Sequence, residues 1–143
     1  MFRGEYSHSI DAKGRLILPA KMREQLNETC ILTRGLDACL YVYSLEEWQK
    51  IEEDFQSKPH ADAASRRFAR TFFGGAVDVD IDKQGRVLIP ANLRDYAKLD
   101  KDVVLTGVLT HIEIWDKAAW NDDVDTSDME SLAEQMADMG IAI

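Results

Sequence analysis

The chain has 143 residues, of which 45% are apolar and 30% charged, an ordinary composition for a globular protein with one core or two small halves that share one. No uninterrupted apolar run approaches the roughly 20 residues of a membrane helix, so we expect no membrane partner. The net charge of −9 argues at first against a nucleic-acid partner, but residues 121–143 hold seven acids and neither Lys nor Arg. The remaining chain carries 19 acids against 17 bases. Because screening confines fields to about 8 Å at physiological salt, a basic face can coexist with that acidic tail.

The first third of the chain predicts strands and helices in alternation. A strand over 5–10 is followed by a turn at 11–14 and by a second strand over 15–18, whose aliphatic run predicts burial on both faces. Pro19 then suits the start of a helix over 20–26. Two further strands, at 31–33 and 40–43, and a helix over about 45–55 complete this part.

A connecting helix is predicted over about 61–72, and Gly74-Gly75 ends it. The same order then returns: strand, turn, strand, a helix over about 91–97, strands at 103–105 and 112–115, and a short helix near 117–120. The tail predicts a helix over about 128–139, with a capping-box pattern at its start and Gly140 at its end. Its apolar stripe is expected to dock on its own body, on a neighbouring subunit or on another protein.

The repetition is explicit in the residues. The stretch from Asp11 to Ala20 returns 71 positions later as the stretch from Asp82 to Ala91, with Asp, Gly, Arg, Pro and Ala identical. Arg23 and Arg94 also match at this offset. The chain is therefore a tandem duplication of one folding unit. Such a duplication favours a pseudo-symmetric surface over a single catalytic pocket.

Each copy carries the turn Asp-x-x-Gly-Arg. Asp bonds readily to nearby backbone amides and Gly accepts a positive φ, so Asp11, Gly14, Asp82 and Gly85 are predicted to orient the turns. A simple hairpin explains the two aspartates, but it explains Arg15 and Arg86 less well. A guanidinium at the mouth of a two-stranded ribbon is a planar set of donors that suits phosphate oxygens or guanine O6 and N7. Lys13 and Lys83, at the tips of the turns, add positive charge.

Three phrases in the first copy, 1–6, 10–15 and 32–37, together with 82–86 in the second, resemble the MraZ family of bacterial transcriptional regulators. The similarity spans roughly residues 1–120. It implies an α+β fold: a tandem, pseudo-symmetric duplication of an AbrB-like (SpoVT/AbrB) β-hairpin and helix unit sharing one core, followed by a C-terminal helix. The expected division is a first unit at 5–48, connecting helices at 49–75, a second unit at 76–120 and an acidic tail at 121–143.

The resemblance also implies a function. Members bind direct repeats upstream of their own operon, in the cell-division and cell-wall gene cluster, generally as repressors and as ring-shaped homo-oligomers. The expected partners are double-stranded promoter DNA, further copies of the chain and a protein bound by the tail helix. The expected location is the cytoplasm, at the nucleoid. The residues expected at the DNA are Arg15, Lys13, Arg86, Lys83 and Arg3.

Two other classes of function stay open at this point. One is an enzyme that uses Asp11 and Asp82 as a carboxylate pair, although exposed turn carboxylates would titrate near pH 4 and supply no general acid at neutral pH. The other is a protein-binding regulator that acts through the tail helix. No cofactor, metal site or catalytic residue is predicted: the three histidines lie far apart, and the two cysteines lack CxxC spacing and are expected as reduced core thiols. Arg66, Arg67 and Arg70 suggest a solvated helix face more than a second phosphate site.

Overall fold

The structure, a computed structural model, describes residues 1–124 and 126–143. Asp125, which belongs to the predicted acidic tail, lies outside the described residues. The strands are β1 (Glu5–Ser9), β2 (Arg15–Ile17), β3 (Thr29–Arg34), β4 (Leu40–Ser44), β5 (Val77–Asp80), β6 (Arg86–Leu88), β7 (Asp102–Val108) and β8 (His111–Asp116). The α-helices are α1 (Ala20–Leu26), α2 (Leu45–Gln56), α3 (Ala63–Phe68), α4 (Ala91–Tyr96), α5 (Lys117–Asp123) and α6 (Met129–Asp138).

The helix boundaries follow local chemistry. Ser44 caps α2 by accepting a hydrogen bond from the Glu47 N–H at 3.2 Å, and Asp62 caps α3 in the same way. The predicted connecting helix is only partly α-helical, since a π-helical segment, Ala69–Phe73, follows α3. At the end of α6, Gly140 has a φ of +84°, and the N–H of Ile141 donates to the Met136 carbonyl at 2.8 Å. These contacts form a Schellman motif, and the helix ends at Gly140 as the sequence predicted.

The two copies exchange strands. Six strands form one antiparallel sheet in the order β1-β7-β8-β4-β3-β5, so β1 of the first copy pairs with β7 of the second, and β5 of the second pairs with β3 of the first. The remaining two strands, β2 and β6, pair with each other as a separate antiparallel ribbon. Each Asp-x-x-Gly-Arg turn is thus followed by a strand that pairs with the other copy. The expected local hairpin is not formed, because β1 and β2 belong to different sheets.

One core joins the two copies. The inward face of the sheet, the buried face of the β2–β6 ribbon and helices α1 and α4 pack together, with Leu16, Leu32, Leu40, Ile89 and Leu93 all completely buried. Burying one such side chain stabilises the fold by about 1.5–3 kcal/mol relative to exposure. The mixed α and β composition, the antiparallel sheet and the shared core agree with the predicted fold class. The division at 5–48, 49–75, 76–120 and 121–143 stays a prediction.

Helices cover the outward face of the sheet. On the first-copy half, Trp48 of α2 packs against Tyr43 and Phe72, with ring centroids 5.5 and 5.3 Å away. On the second-copy half, Trp120 of α5 meets Trp115 edge-on at 5.8 Å. Trp48 and Trp120 align in the repeat once one residue is inserted in the second copy, so the two tryptophans anchor equivalent helices.

The tail helix α6 contains no buried residue. Its apolar stripe is open to solvent, with Met129 exposed at 55%, Leu132 at 44% and Met136 at 38%. Docking on its own body, one of the three expected arrangements, is therefore not what the structure shows. Along the described ranges, no helix combines the length and apolar character needed to cross a membrane.

Candidate nucleic-acid interface

The first recurring turn is held by one carboxylate. Oδ1 of Asp11 accepts hydrogen bonds from the N–H groups of Lys13 and Arg15, both at 2.9 Å, and Oδ2 accepts one from Nε of Arg15 at 2.7 Å. Gly14 adopts a φ of +85°, in the left-handed region that favours glycine, and its N–H donates to the Asp11 carbonyl. This geometry uses the acceptor oxygens of an aspartate and the positive φ that a glycine accommodates.

The second turn repeats the first. Asp82 accepts from the N–H groups of Gln84 and Arg86 at 2.9 Å and from Nε of Arg86 at 2.8 Å, while Gly85 has a φ of +80°. In both turns the pKa of the aspartate is lowered, chiefly by the hydrogen bond from the backbone N–H of the arginine. Both carboxylates are thus ionised at neutral pH and are weak bases, which disfavours the enzyme alternative.

The ribbon brings the two turns onto one element. Arg15 lies opposite Leu88, and Ile17 lies opposite Arg86. These four residues share one face, because side chains alternate along a strand, and Leu16 and Val87 point to the core on the other face. Arg15 and Arg86 are diagonal neighbours, whose spacing in such ladders is about 7–8 Å.

The outward face of the ribbon is partly apolar. Ile17 is exposed at 45% and Leu88 at 55%, so the predicted burial of this strand on both faces is wrong. The reason is that the second face of the ribbon has no layer packed over it in the described chain. Two exposed aliphatic side chains and two arginines therefore share one surface. The aliphatic groups suit apolar contact with base edges, and the arginines suit base edges or phosphates.

Arg15 and Arg86 are each paired with a turn aspartate and remain accessible to solvent. Their side chains are 32% exposed for Arg15 and 25% for Arg86, and each gives only its Nε to the turn aspartate. The terminal guanidinium nitrogens of both residues make no hydrogen bond within the described residues. The aspartates therefore orient the guanidinium groups and leave their donor edges available for a ligand.

The other candidate residues are not all in one place. Lys13 and Lys83 are exposed at the two turns, which lie at opposite ends of the antiparallel ribbon. Arg3 is exposed too, but it precedes β1, whereas the Asp11 turn follows β1. At about 3.3 Å per residue, the length of that strand separates Arg3 from the turn.

Two functional candidates were missed in the sequence, Arg23 of α1 and Arg94 of α4. Arg94 lies over Gly14 of the other copy, where a Cβ on the glycine would come 3.0 Å from its Cζ. Reciprocally, Arg23 lies over Gly85. Nε of each arginine is buried with no hydrogen-bond partner among the described residues. Their identity at equivalent repeat positions was the available signal, but only the structure shows which turn each one covers.

No group of His, Cys, Asp or Glu side chains in the described residues is arranged to hold a metal ion. The chemistry that the ribbon offers is binding: four basic side chains in its strands and turns, against two carboxylates that are both paired with arginine.

Comparisons with known proteins identify the family of this chain. The family model described as "MraZ protein, putative antitoxin-like" matches the chain twice, at residues 1–71 and 72–140. The chain is 55% identical over 143 residues to the transcriptional regulator MraZ of Acetivibrio thermocellus, covering 99% of this chain and all of that relative. It is 52% identical to the transcriptional regulator MraZ of a Thermoanaerobacter species and 50% identical to that of Clostridium tetani, over the same shares of each chain. With both repeats matched and full-length relatives at this identity, the chain belongs to the MraZ family.

Proposed function

We propose that this protein is a non-enzymatic transcriptional regulator that inserts the outward face of its β2–β6 ribbon into the major groove of promoter DNA. The observation that carries the proposal is the placement of Arg15 and Arg86 on one face of a single ribbon, with their donor edges accessible. The major groove admits a two-stranded β-ribbon, and arginine donates two parallel hydrogen bonds to guanine O6 and N7. The relatives are named transcriptional regulators, which supports the same conclusion.

The residues of the interface fall into groups with different roles in this proposal. Arg15 and Arg86 contact base edges or phosphates, Lys13 and Lys83 contact the phosphates beside the turns, and Asp11, Gly14, Asp82 and Gly85 keep the arginines in position. Ile17 and Leu88 provide the apolar contact. Arg3, which lies beyond the other end of β1, contributes to the charge of the flanking surface.

Assembly explains how an acidic protein binds DNA. One ribbon supplies few contacts, and specific protein–DNA interfaces usually bury about 1,000 Å² or more of protein surface. Linking several ribbons in one particle raises avidity by a factor on the order of 10²–10⁴ without any new contact. We therefore propose that the active form is a ring-shaped homo-oligomer. In it, several ribbons bind successive direct repeats in the promoter of the protein's own cell-division and cell-wall operon, where the protein represses transcription at the nucleoid, in the cytoplasm.

The test is footprinting of the DNA upstream of the protein's own gene, with wild type, Arg15→Ala, Arg86→Ala and Lys50→Ala. Lys50 is the matched control, because it is an exposed cation on α2 that pairs with Glu47 at 3.0 Å and lies outside the ribbon. The proposal predicts periodic protection by wild type and Lys50→Ala, and loss of protection by the two arginine variants. Equal protection by all four proteins would contradict it.

A further inference from the structure

The β2–β6 ribbon has a local two-fold axis. Each arginine, Arg15 in one strand and Arg86 in the other, lies opposite an aliphatic residue of the other copy. The central pair is Leu16 with Val87, which are equivalent positions of the repeat, 71 residues apart. The axis therefore passes through this pair and relates each turn to the other.

The backbone follows this symmetry as far as the turns. The N–H of Leu18 donates to the Gly85 carbonyl, and the N–H of Ile89 donates to the Gly14 carbonyl, both at 2.9 Å. The two glycines also have nearly equal φ values, +80° and +85°, so the two turns present their side chains from matching backbone positions. A two-fold protein surface matches a palindromic DNA site. By its backbone alone, the ribbon would favour a palindrome.

The side chains break this symmetry at the tips of the turns. The turn Asp and Gly and the ribbon Arg are identical in the two copies, and the exposed aliphatic position is Ile in one copy and Leu in the other. The polar differences fall at two tip positions, where Ala12 corresponds to Lys83 and Lys13 corresponds to Gln84. All four side chains are exposed. Because each tip has one lysine, the polar group without a counterpart in the other turn is the amide of Gln84.

The second turn holds Gln84 beside Arg86. Their backbone N–H groups donate to the same oxygen of Asp82, Oδ1, each at 2.9 Å. The side-chain amide of Gln84 makes no hydrogen bond within the described part of the chain. A glutamine amide offers both a donor and an acceptor, which together match N7 and N6 of adenine in the major groove. A lysine at the equivalent position is a point charge, which suits a phosphate and selects no base there.

From these observations we propose that Gln84 is a specificity-determining residue that gives each bound DNA unit a direction. Its amide donates to N7 and accepts from N6 of an adenine at one end of the ribbon, while Lys13 contacts a phosphate at the other end. The proposal rests on the DNA-binding function proposed above and names a base that the ribbon reads. A ribbon with unlike ends reads a non-palindromic unit, so ribbons presented in one orientation match direct repeats and not inverted ones.

The experiment is the selection of bound sequences from random DNA duplexes by the full-length protein. Gln84→Lys puts lysine at both equivalent tip positions, and Lys13→Gln puts glutamine at both. Gln49→Lys is the matched control, because it makes the same charge change at an exposed residue of α2, outside the ribbon.

We expect the wild type and Gln49→Lys to select one non-palindromic unit with an A·T pair at one end. Gln84→Lys should lose the preference for that pair, which a bidentate contact sets at about 5- to 160-fold. Lys13→Gln should add an A·T pair at the symmetric position, so that its selected unit becomes palindromic.

Three results would overturn the proposal: a palindromic unit selected by the wild type, an unchanged unit selected by Gln84→Lys, or no added A·T pair in the unit selected by Lys13→Gln. A purely structural role of Gln84 would not move the selected bases, and circular dichroism and molar mass check that folding and assembly are unchanged. Failure of the DNA-binding function gives a different outcome, because the wild type would then select no sequence.

Discussion

Arg23 of α1 lies directly over Gly85, in the turn of the opposite copy. A Cβ added to this glycine would come within 2.6 Å of the Arg23 Cζ, and Arg94 stands in the same relation to Gly14. Each copy thus supplies the arginine that covers the other copy's turn, as it supplies the strand that pairs with the other copy's strand. Each turn is therefore held by hydrogen bonds within its own copy and is covered by an arginine of the other copy.

Gly85→Ala should destabilise the protein mainly through the backbone. At φ +80° a Cβ costs about 1–2 kcal/mol, while the Arg23 guanidinium can move aside because it ends a flexible side chain. Asn tolerates the left-handed region better than Ala, so Gly85→Asn should lose less free energy of unfolding in urea. Equal losses in the two variants would show that the contact with Arg23, and not the backbone, sets the cost.

Leu16→Ala and Ile17→Ala should separate the two faces of the ribbon. Leu16 is completely buried, so its truncation should cost about 2–5 kcal/mol of unfolding free energy. Ile17 is 45% exposed, and a surface substitution there should change stability by about 0.5 kcal/mol or less while weakening DNA binding. Chemical denaturation and DNA titration of both variants give the comparison. A large loss of stability in Ile17→Ala would mean that the outward face is packed in the folded protein.

The turn aspartates should make stability depend on acid pH. Hydrogen bonds, first of all from the arginine N–H, lower the pKa of Asp11 and Asp82 in the folded protein below the ordinary value of 3.8. A group with a lowered folded pKa stabilises the protein above its unfolded pKa, and this contribution is lost as the pH falls through the folded value. The Asp11→Asn/Asp82→Asn variant should therefore lose less stability than wild type when the pH falls from 5 to 2. Parallel stability curves for the two proteins would contradict this.

The two cysteines should be inert in the native protein. Cys30 and Cys39 are completely buried, and burial raises the pKa of Cys30 to about 12 and that of Cys39 further still. Because the thiolate is the reactive form, an aromatic disulfide reagent should label both only as fast as the protein unfolds. The check is the labelling rate with and without urea, and fast labelling of the folded protein would show that one thiol is accessible.

The sequence predicted the elements that depend on local chemistry. Asp11 and Gly14 specify their turn by the backbone N–H groups and the φ that they accommodate, and Gly140 ends α6 for a comparable reason. The pairing of β2 with β6 could not be predicted in this way, because a turn signal does not identify the strand's partner. The exposure of Ile17 depends on that pairing, since an aliphatic run looks the same whether one or two of its faces are covered.

The arginines of the candidate site also differ in whether the sequence could predict their place. Arg15 and Arg86 stood out because each follows a repeated turn, and the structure brings them onto one face. Arg23 and Arg94 are also repeated, but helical arginines are usually solvated, and only the strand exchange places them over the turns. Their Nε atoms are buried and have no hydrogen-bond partner among the described residues, which only the three-dimensional structure reveals.

Salt dependence should distinguish phosphate contacts from base contacts. Lys13→Ala should weaken binding about equally for all DNA sequences and reduce the slope of log K against log salt by about 1. Arg15→Ala should also relax discrimination against an altered repeat, if its guanidinium donates to a base edge. Affinities for the promoter and for a scrambled fragment at several salt concentrations provide the data. An unchanged slope for Lys13→Ala would show that Lys13 makes no phosphate contact.

The central claim is tested most directly by the dissociation constant of promoter DNA for wild type, Arg15→Ala, Arg86→Ala and Lys50→Ala, each at the same molar mass in solution. We expect the two ribbon variants to bind about 5- to 160-fold more weakly, the equivalent of about 1–3 kcal/mol, and Lys50→Ala to bind as wild type does. Wild-type affinity in both ribbon variants, with assembly and folding intact, would contradict it.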